Sequence, residues 1–172
     1  EYDPCDYLKA REYQLRRDVP FWKKTAEDDM ESMLVGIKGY KGHIFYKCAS
    51  CIDEWLDTVD GDQPKNKLFD EIATHIDHEI HCNYRLYPVN YVALDMIQDT
   101  RVYEEYYTPE DYQDFENYLE GQIEKIDIEN RDDKFLRNCL LTQYAYPAKN
   151  YIAASSENGR FKSLLNRLTF KK

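Results

Sequence analysis

The chain has 172 residues, of which 42% are hydrophobic, and a formal net charge of −10. This length and apolar content suffice for one domain with a buried core, and they exclude an intrinsically disordered chain. The acidic balance excludes a nucleic-acid binder with a basic face, and the longest apolar runs fall short of the roughly 18 residues that span a membrane. Five cysteines without a secretory signal indicate a reducing compartment, so we expect the protein in the cytoplasm.

Two helices are predicted near the N-terminus. The first covers residues 3–17, with Asp3 as the N-cap and Pro4 at the first helical position, where a missing N–H costs nothing. The second covers residues 25–39 and begins at Thr25 with an acidic first turn. It ends in glycines, which can adopt left-handed backbone conformations at a helix end.

A third helix is predicted over residues 66–83. At 100° per residue, five apolar side chains gather on one face, which we expect to be buried: Leu68, Phe69, Ile72, Ile76 and Ile80. His78 and His81 then fall on the opposite face, which we expect to face solvent, and His75 lies at its flank.

The clearest helix signal covers residues 108–126. Thr108 is the expected N-cap, Pro109 occupies the first position, and an apolar stripe follows at helical spacing: Tyr112, Phe115, Leu119, Ile123 and Ile126. Another helix is predicted from about 132 to 144, with Phe135, Leu136, Cys139 and Leu140 directed inward. We expect Pro147 to begin a separate short helix, because proline disrupts a helix interior.

One strand is predicted, at residues 42–49, where Gly42 precedes a run of β-forming residues. Large side chains alternate on both of its faces, and an isolated strand leaves its backbone groups unpaired. Residues 1–3 could pair with it. The sequence therefore predicts a mostly α fold with a small β element, whose other strands lie upstream in a longer protein.

The segment from His75 to Cys82 holds three histidines and a cysteine, and Cys48 and Cys51 lie upstream. A structural zinc site needs four converging ligands, and the zincin motif needs histidines four residues apart with a glutamate between them. The histidine spacing here is three, and no second Cys-x-x-Cys pair occurs. We therefore assign no metal, cofactor or catalytic residue to the chain.

The last 13 residues, 160–172, form a basic amphipathic segment. Four apolar side chains share a stripe, Phe161, Leu164, Leu165 and Leu168, and the formal charge of the segment is +5. Such a segment is typical of a membrane-surface or partner-binding helix. A last helix docked on the acidic body of the protein explains it equally well.

Five stretches, in order over roughly residues 1–152, resemble a known family. They are EYDPCDYLKAREYQ, LVGIKGYKGHIFYKCASCI, IHCNYRLYPVNYVALDMI, YTPEDYQDFENYLEGQIEKI and LLTQYAYPAKNY. Together they are similar to the C-terminal half of bacterial glycerophospholipid acyltransferases, in particular Bacteroidetes-type enzymes that are similar to 1-acylglycerol-3-phosphate acyltransferase.

The resemblance implies the C-terminal part of an α/β acyltransferase fold, with most of the central sheet missing. Residues 1–52 would be the end of the sheet region, and 53–172 a helical extension. The implied partners are the upstream acyltransferase half and an acyl donor, either acyl-coenzyme A or acyl carrier protein. Peripheral contact with the inner face of the cell membrane would involve the basic C-terminus.

Members of this family use a His-x-x-x-x-Asp motif, in which the aspartate orients a histidine that acts as general base. The motif is absent here, because the residues five positions after the four histidines are Cys48, Ile80, Asn83 and Leu86. The chain alone is therefore predicted to be inactive. The alternative is a self-contained helical interaction module, with metal binding through His75, His78 and the cysteines left open.

Overall fold

The computed structural model describes residues 1–157, which are mostly helical, as predicted. In these residues we number seven α-helices and one 3-10 helix in chain order: α1 Asp6–Asp18, α2 Ala26–Lys38, α3 Asp53–Leu56, α4 Lys65–Cys82, α5 Pro88–Gln98, the 3-10 helix Glu104–Tyr106, α6 Pro109–Glu124 and α7 Asp133–Glu157. No helix in this part of the chain is long and apolar enough to cross a membrane. The basic segment 160–172 lies outside the described residues.

The chain divides into two compact units that alternate along the sequence. The first unit contains residues 1–44 and 86–148, and the second contains residues 45–85 and 149–157 of the described chain. Helices α1, α2, α5, α6 and most of α7 belong to the first unit, and α3 and α4 to the second. The division of the chain at residue 52 follows from the family resemblance and stays a prediction.

The predicted starts of α2 and α6 are confirmed, and both are capping boxes. Thr25 Oγ1 accepts a hydrogen bond from Asp28 N at 3.2 Å, and the Asp28 carboxylate accepts one from Thr25 N at 2.9 Å. Thr108 and Asp111 make the same reciprocal pair, and Pro109 is the first helical residue. These local signals were readable because the cap and its partner are three residues apart.

The predicted ends of the first two helices need correction. α1 begins at Asp6 because Pro4 and Cys5 form a turn, in which the Asp3 carboxylate accepts from Cys5 N at 2.9 Å. α2 ends at Gly39, whose φ of −71° is not left-handed. A Cβ at Gly39 would lie 2.3 Å from Cβ of Pro4, so this glycine allows close packing and does not serve as a left-handed cap.

The core of the first unit forms where α6 packs against α1 and α5. The predicted α6 stripe is buried at Phe115, Leu119, Ile123 and Ile126, while Tyr112 at its end is exposed. Apolar side chains from the neighbouring helices complete this core: Leu8, Val89, Val92, Leu94, Leu136 and Leu140.

Pro147 does not begin a new helix, because α7 runs through it without interruption. Proline removes one backbone hydrogen bond and crowds the carbonyl of Gln143, four residues earlier. Buried side chains on both sides of it, Ala145, Ala148 and Ile152, hold the helix in place. Packing therefore outweighs the local penalty.

The predicted strand at residues 42–49 is wrong, since residues 1–157 contain no strand. Only its start is paired: Tyr2 N donates to Lys41 O at 2.9 Å, and the terminal amine of Glu1 donates to His43 O at 2.8 Å. Two such contacts do not make a ladder, and residues 44–50 continue as an irregular, exposed segment. Without a neighbouring strand the β-forming residues cannot form a sheet.

Candidate functional site

A buried aspartate and its tyrosine partners form one polar cluster in the first unit. Asp6 at the start of α1 is fully buried. Its Oδ2 accepts hydrogen bonds from the hydroxyls of Tyr118 in α6 (2.7 Å) and Tyr144 in α7 (2.6 Å). Tyr144 also accepts from Asp3 N at 3.2 Å. The cluster links three helices through one carboxylate.

Burial dominates the electrostatics of this Asp6 cluster. Desolvation raises the pKa of Asp6, although the hydrogen bonds from Tyr144 and Tyr118 oppose the shift. Burial and the nearby Asp6 charge also raise the pKa of both tyrosines, so they remain protonated donors. Since the tyrosines keep their protons and Asp6 has no exposed surface, we interpret the cluster as a structural link between helices.

A second buried carboxylate, Asp95 near the end of α5, organises the loop that follows it. Its two oxygens accept hydrogen bonds from Thr100 Oγ1 at 2.8 Å, Val102 N at 3.0 Å, Tyr103 N at 3.0 Å and Tyr107 Oη at 2.9 Å. Asp99 ends α5 in the left-handed conformation, with φ of 52°. The loop that follows α5 is therefore folded around the Asp95 carboxylate and fixed by these four hydrogen bonds.

This loop forms one wall of an open cleft of about 940 Å³ in the first unit. The other walls are α6 and α7, where Arg137 Nη2 contacts both carboxylate oxygens of Glu116 at 2.7 Å. Further lining residues are Met96, Arg101, Glu104, Glu105, Tyr112 and Leu141. Desolvation and the adjacent Asp95 raise the pKa of Tyr107 to about 12.

The cleft is lined mainly by charged and tyrosine side chains. None of the described residues that line it is a histidine, cysteine, serine or lysine, so it contains no histidine that could act as the base of the predicted acyl transfer. Its carboxylates outnumber its two arginines. The sequence analysis missed this cleft, because its walls come from segments separated along the chain and no short motif marks it.

The predicted orientation of α4 is wrong. Phe69, Ile76 and Ile80, expected to be buried, are 61%, 43% and 47% exposed, whereas His75 and His78 are partly covered. The covered side contains His75, whose ring stacks on Trp55 with centroids 3.9 Å apart and planes 4° from parallel. Imidazole rings can pack flat against an aromatic ring. The stack of His75 on Trp55 therefore covers the histidine side of α4 and leaves Phe69, Ile76 and Ile80 exposed.

The histidines and cysteines of the second unit are not brought together as a metal site. Cys82 Sγ lies 3.5 Å from His78 Nε2, and His81 Nε2 lies 3.2 Å from Asn150 Nδ2. Within residues 1–157, no group of three or more His, Cys, Asp or Glu side chains is arranged to hold a metal ion. Cys48 and Cys51 are both exposed.

His43 lies in the first unit, away from any catalytic arrangement. Its Nδ1 is 2.8 Å from Glu1 Oε2, and its side chain is 83% exposed. An imidazole this exposed, with one carboxylate beside it, is typical of a surface pair. His43 is therefore a surface histidine beside Glu1.

Comparisons with protein-family models, with curated proteins and with solved structures found no match. The resemblance to glycerophospholipid acyltransferases therefore stays a prediction.

Proposed function

We propose that the chain is the C-terminal, non-catalytic portion of an acyltransferase that transfers a fatty acyl group to a glycerophosphate-type acceptor in phospholipid synthesis. In this proposal the histidine that acts as general base belongs to an upstream half, as does the arginine that binds the acceptor phosphate in the family resembled. The helical first unit then acts as a rigid support for that half.

The observation that carries the proposal is the ordered set of stretches between residues 1 and 152 that resembles the family. The irregular segment 44–50 supports it independently. Ile44 is 58% exposed in the first unit, and Tyr46 is 89% exposed in the second. Large apolar side chains on a segment of β-forming composition fit a strand that would complete a sheet with upstream residues.

The absence of a His-x-x-x-x-Asp motif from the chain is compatible with this role. The cleft in the first unit contains no histidine, and the four histidines lie outside it. Acyl transfer to a hydroxyl needs a positioned base within hydrogen-bond reach of that hydroxyl. We therefore assign activity to the larger protein alone.

Reading the coding sequence 5′ of Glu1 tests the proposal. We expect at least about 100 further residues, by ordinary domain size, with several parallel strands and a His-x-x-x-x-Asp motif at the N-terminal end of a helix. A start codon immediately before Glu1, or an upstream region without that motif, would contradict it.

The second candidate is a self-contained helical interaction module. The uncovered apolar face of α2 favours it, because Met30 and Ile37 are 70% and 75% exposed on one side of that helix. A module needs no catalytic residue and no upstream sheet. The same reading of the upstream sequence separates the two candidates.

A further inference from the structure

Helix α2 leaves its apolar face uncovered in the first unit. Met30, Met33, Leu34 and Ile37 follow the helical spacing i, i+3, i+4, i+7, and their exposed fractions are 70%, 69%, 51% and 75%. No residue of α2 is buried. A contiguous exposed apolar face of this kind marks an interaction surface, which we call the α2 face.

The opposite side of α2 is anchored to the rest of the first unit. Arg11 of α1 pairs with Asp28 and Glu31, each at 3.1 Å, and Cys5 Sγ donates to Ser32 O at 3.2 Å. The capping box at Thr25 fixes the start of the helix. The α2 face is therefore presented by a well-held helix.

Charged side chains line one flank of the α2 face. Positions around the helix axis are counted at 100° per residue from Met30 at 0°. The apolar stripe then spans about 300° to 40°. Glu27, Lys38 and Glu31 lie beside it, at about 60°, 80° and 100°. Glu27 and Lys38 are exposed, and neither has a polar partner within residues 1–157. The flank thus carries acids at its N-terminal half and a base at its C-terminal end.

We propose that the α2 face binds the α2 face of a second copy of this chain in an antiparallel, two-fold arrangement. A two-fold axis between Met33 and Leu34 places Met30 opposite Ile37 of the second copy, and each flank meets the same flank of the second copy. Lys38 then lies within about two residues, or ~3 Å along the axis, of both Glu27 and Glu31 of the second copy.

Charge favours this arrangement over a parallel pair and over an anionic bilayer. A parallel pair would set this flank against the opposite flank of the second copy, where Asp29 is already paired with Lys24 at 3.2 Å and lies about nine residues along the axis from Lys38. Lys38 would then have no acid beside it. An anionic bilayer would be repelled by α2, whose four acids, Glu27, Asp28, Asp29 and Glu31, outnumber its one base, Lys38. Antiparallel self-pairing places each Lys38 beside acids and covers all four apolar side chains.

The inference does not depend on the proposed function, and it is tested on the complete 172-residue chain by sedimentation equilibrium over a wide concentration range. Leu34→Asp should raise the dimer dissociation constant at least about 100-fold, since it places a charge in the apolar contact. Lys38→Glu should raise it about 10-fold. The swap Glu27→Lys with Lys38→Glu should return it to within about 3-fold of the unsubstituted chain.

Two matched controls accompany these variants. Ile76→Asp places the same kind of charge on the exposed apolar side of α4, and Glu120→Lys changes the charge on an exposed position of α6; neither should alter the dissociation constant. All substituted side chains are exposed, so unchanged thermal midpoints at low concentration should show intact folding.

A chain that remains monomeric throughout would overturn the proposal, as would dissociation by Ile76→Asp but not by Leu34→Asp. A charge swap that binds no better than Lys38→Glu alone would overturn the antiparallel arrangement.

Discussion

The hydroxyl of Tyr144 donates a hydrogen bond to the carboxylate of Asp6 at 2.6 Å, across 138 residues of sequence. Asp6 begins α1 and Tyr144 lies in α7, so this bond joins the N-terminal and C-terminal helices of the first unit. The same hydroxyl accepts a hydrogen bond from Asp3 N. Its removal should therefore loosen the unit as a whole.

We expect Tyr144→Phe to lower the free energy of unfolding by about 1–3 kcal/mol, because it leaves a buried carboxylate with one donor fewer. Chemical denaturation monitored by circular dichroism measures the change. Tyr13→Phe is the matched control, since Tyr13 is 58% exposed on α1, and should alter stability by less than about 0.5 kcal/mol. Equal effects of the two substitutions would contradict a special role for Tyr144.

The raised pKa of Asp6 predicts how its contribution to stability changes with pH. A carboxyl whose pKa is higher in the folded chain than in the unfolded chain binds its proton more readily when folded. Its contribution is therefore full below its ordinary pKa near 3.8 and is lost as pH rises through the raised value. Relative to Asp6→Asn, which does not titrate, the native chain should gain stability as pH falls from about 8 to about 4.

Denaturant titrations of both proteins at several pH values measure this difference. Hydrogen bonds lower the pKa values of Asp18, Asp28 and Asp132. Protonation of these three side chains in acid therefore destabilises both proteins equally, and the comparison with Asp6→Asn removes this shared effect. A difference that shrinks as pH falls would show that the folded pKa of Asp6 is not raised.

Gly39 tests the close approach of α2 to the N-terminus. Alanine has no conformational difficulty at a φ of −71°, but its Cβ would lie 2.3 Å from Cβ of Pro4 and 2.7 Å from Val35 O. We expect Gly39→Ala to destabilise the chain by about 1–3 kcal/mol through overpacking. Gly61→Ala is the control, because a Cβ there meets nothing within 4 Å. A neutral Gly39→Ala would mean that the two segments separate easily.

The loop around Asp95 should depend on that carboxylate. All four of its hydrogen-bond partners are donors, so Asp95→Asn would place an amide N–H₂ against two of them. We expect a loss of about 3 kcal/mol and faster amide exchange in residues 99–107, which form a wall of the cleft. Asp99→Asn should be nearly neutral, because asparagine tolerates the left-handed conformation. Unchanged exchange in Asp95→Asn would contradict the role of the carboxylate.

The parts of the fold that could be predicted from the sequence are those with local causes. Thr25 and Thr108 find their capping partners three residues away, and the stripe of α6 follows one helical period. The orientation of α4 was not predictable, because the stack of His75 on Trp55 depends on a contact across a loop. The tyrosine partners of Asp6 and Asp95 could not be predicted either, because they lie 12 to 138 residues away along the chain.

Acyl transfer to lysophosphatidic acid, measured with the 172-residue chain and with the product of the reading frame extended upstream, tests the proposed function most directly. We expect the extended protein to form phosphatidic acid from an acyl donor, and the 172-residue chain to form none above a heat-denatured control, because it lacks the His-x-x-x-x-Asp motif that supplies the general base in the acyltransferases it resembles. Steady product formation by the 172-residue chain alone, or an inactive extended protein that lacks a His-x-x-x-x-Asp motif, would contradict the proposal.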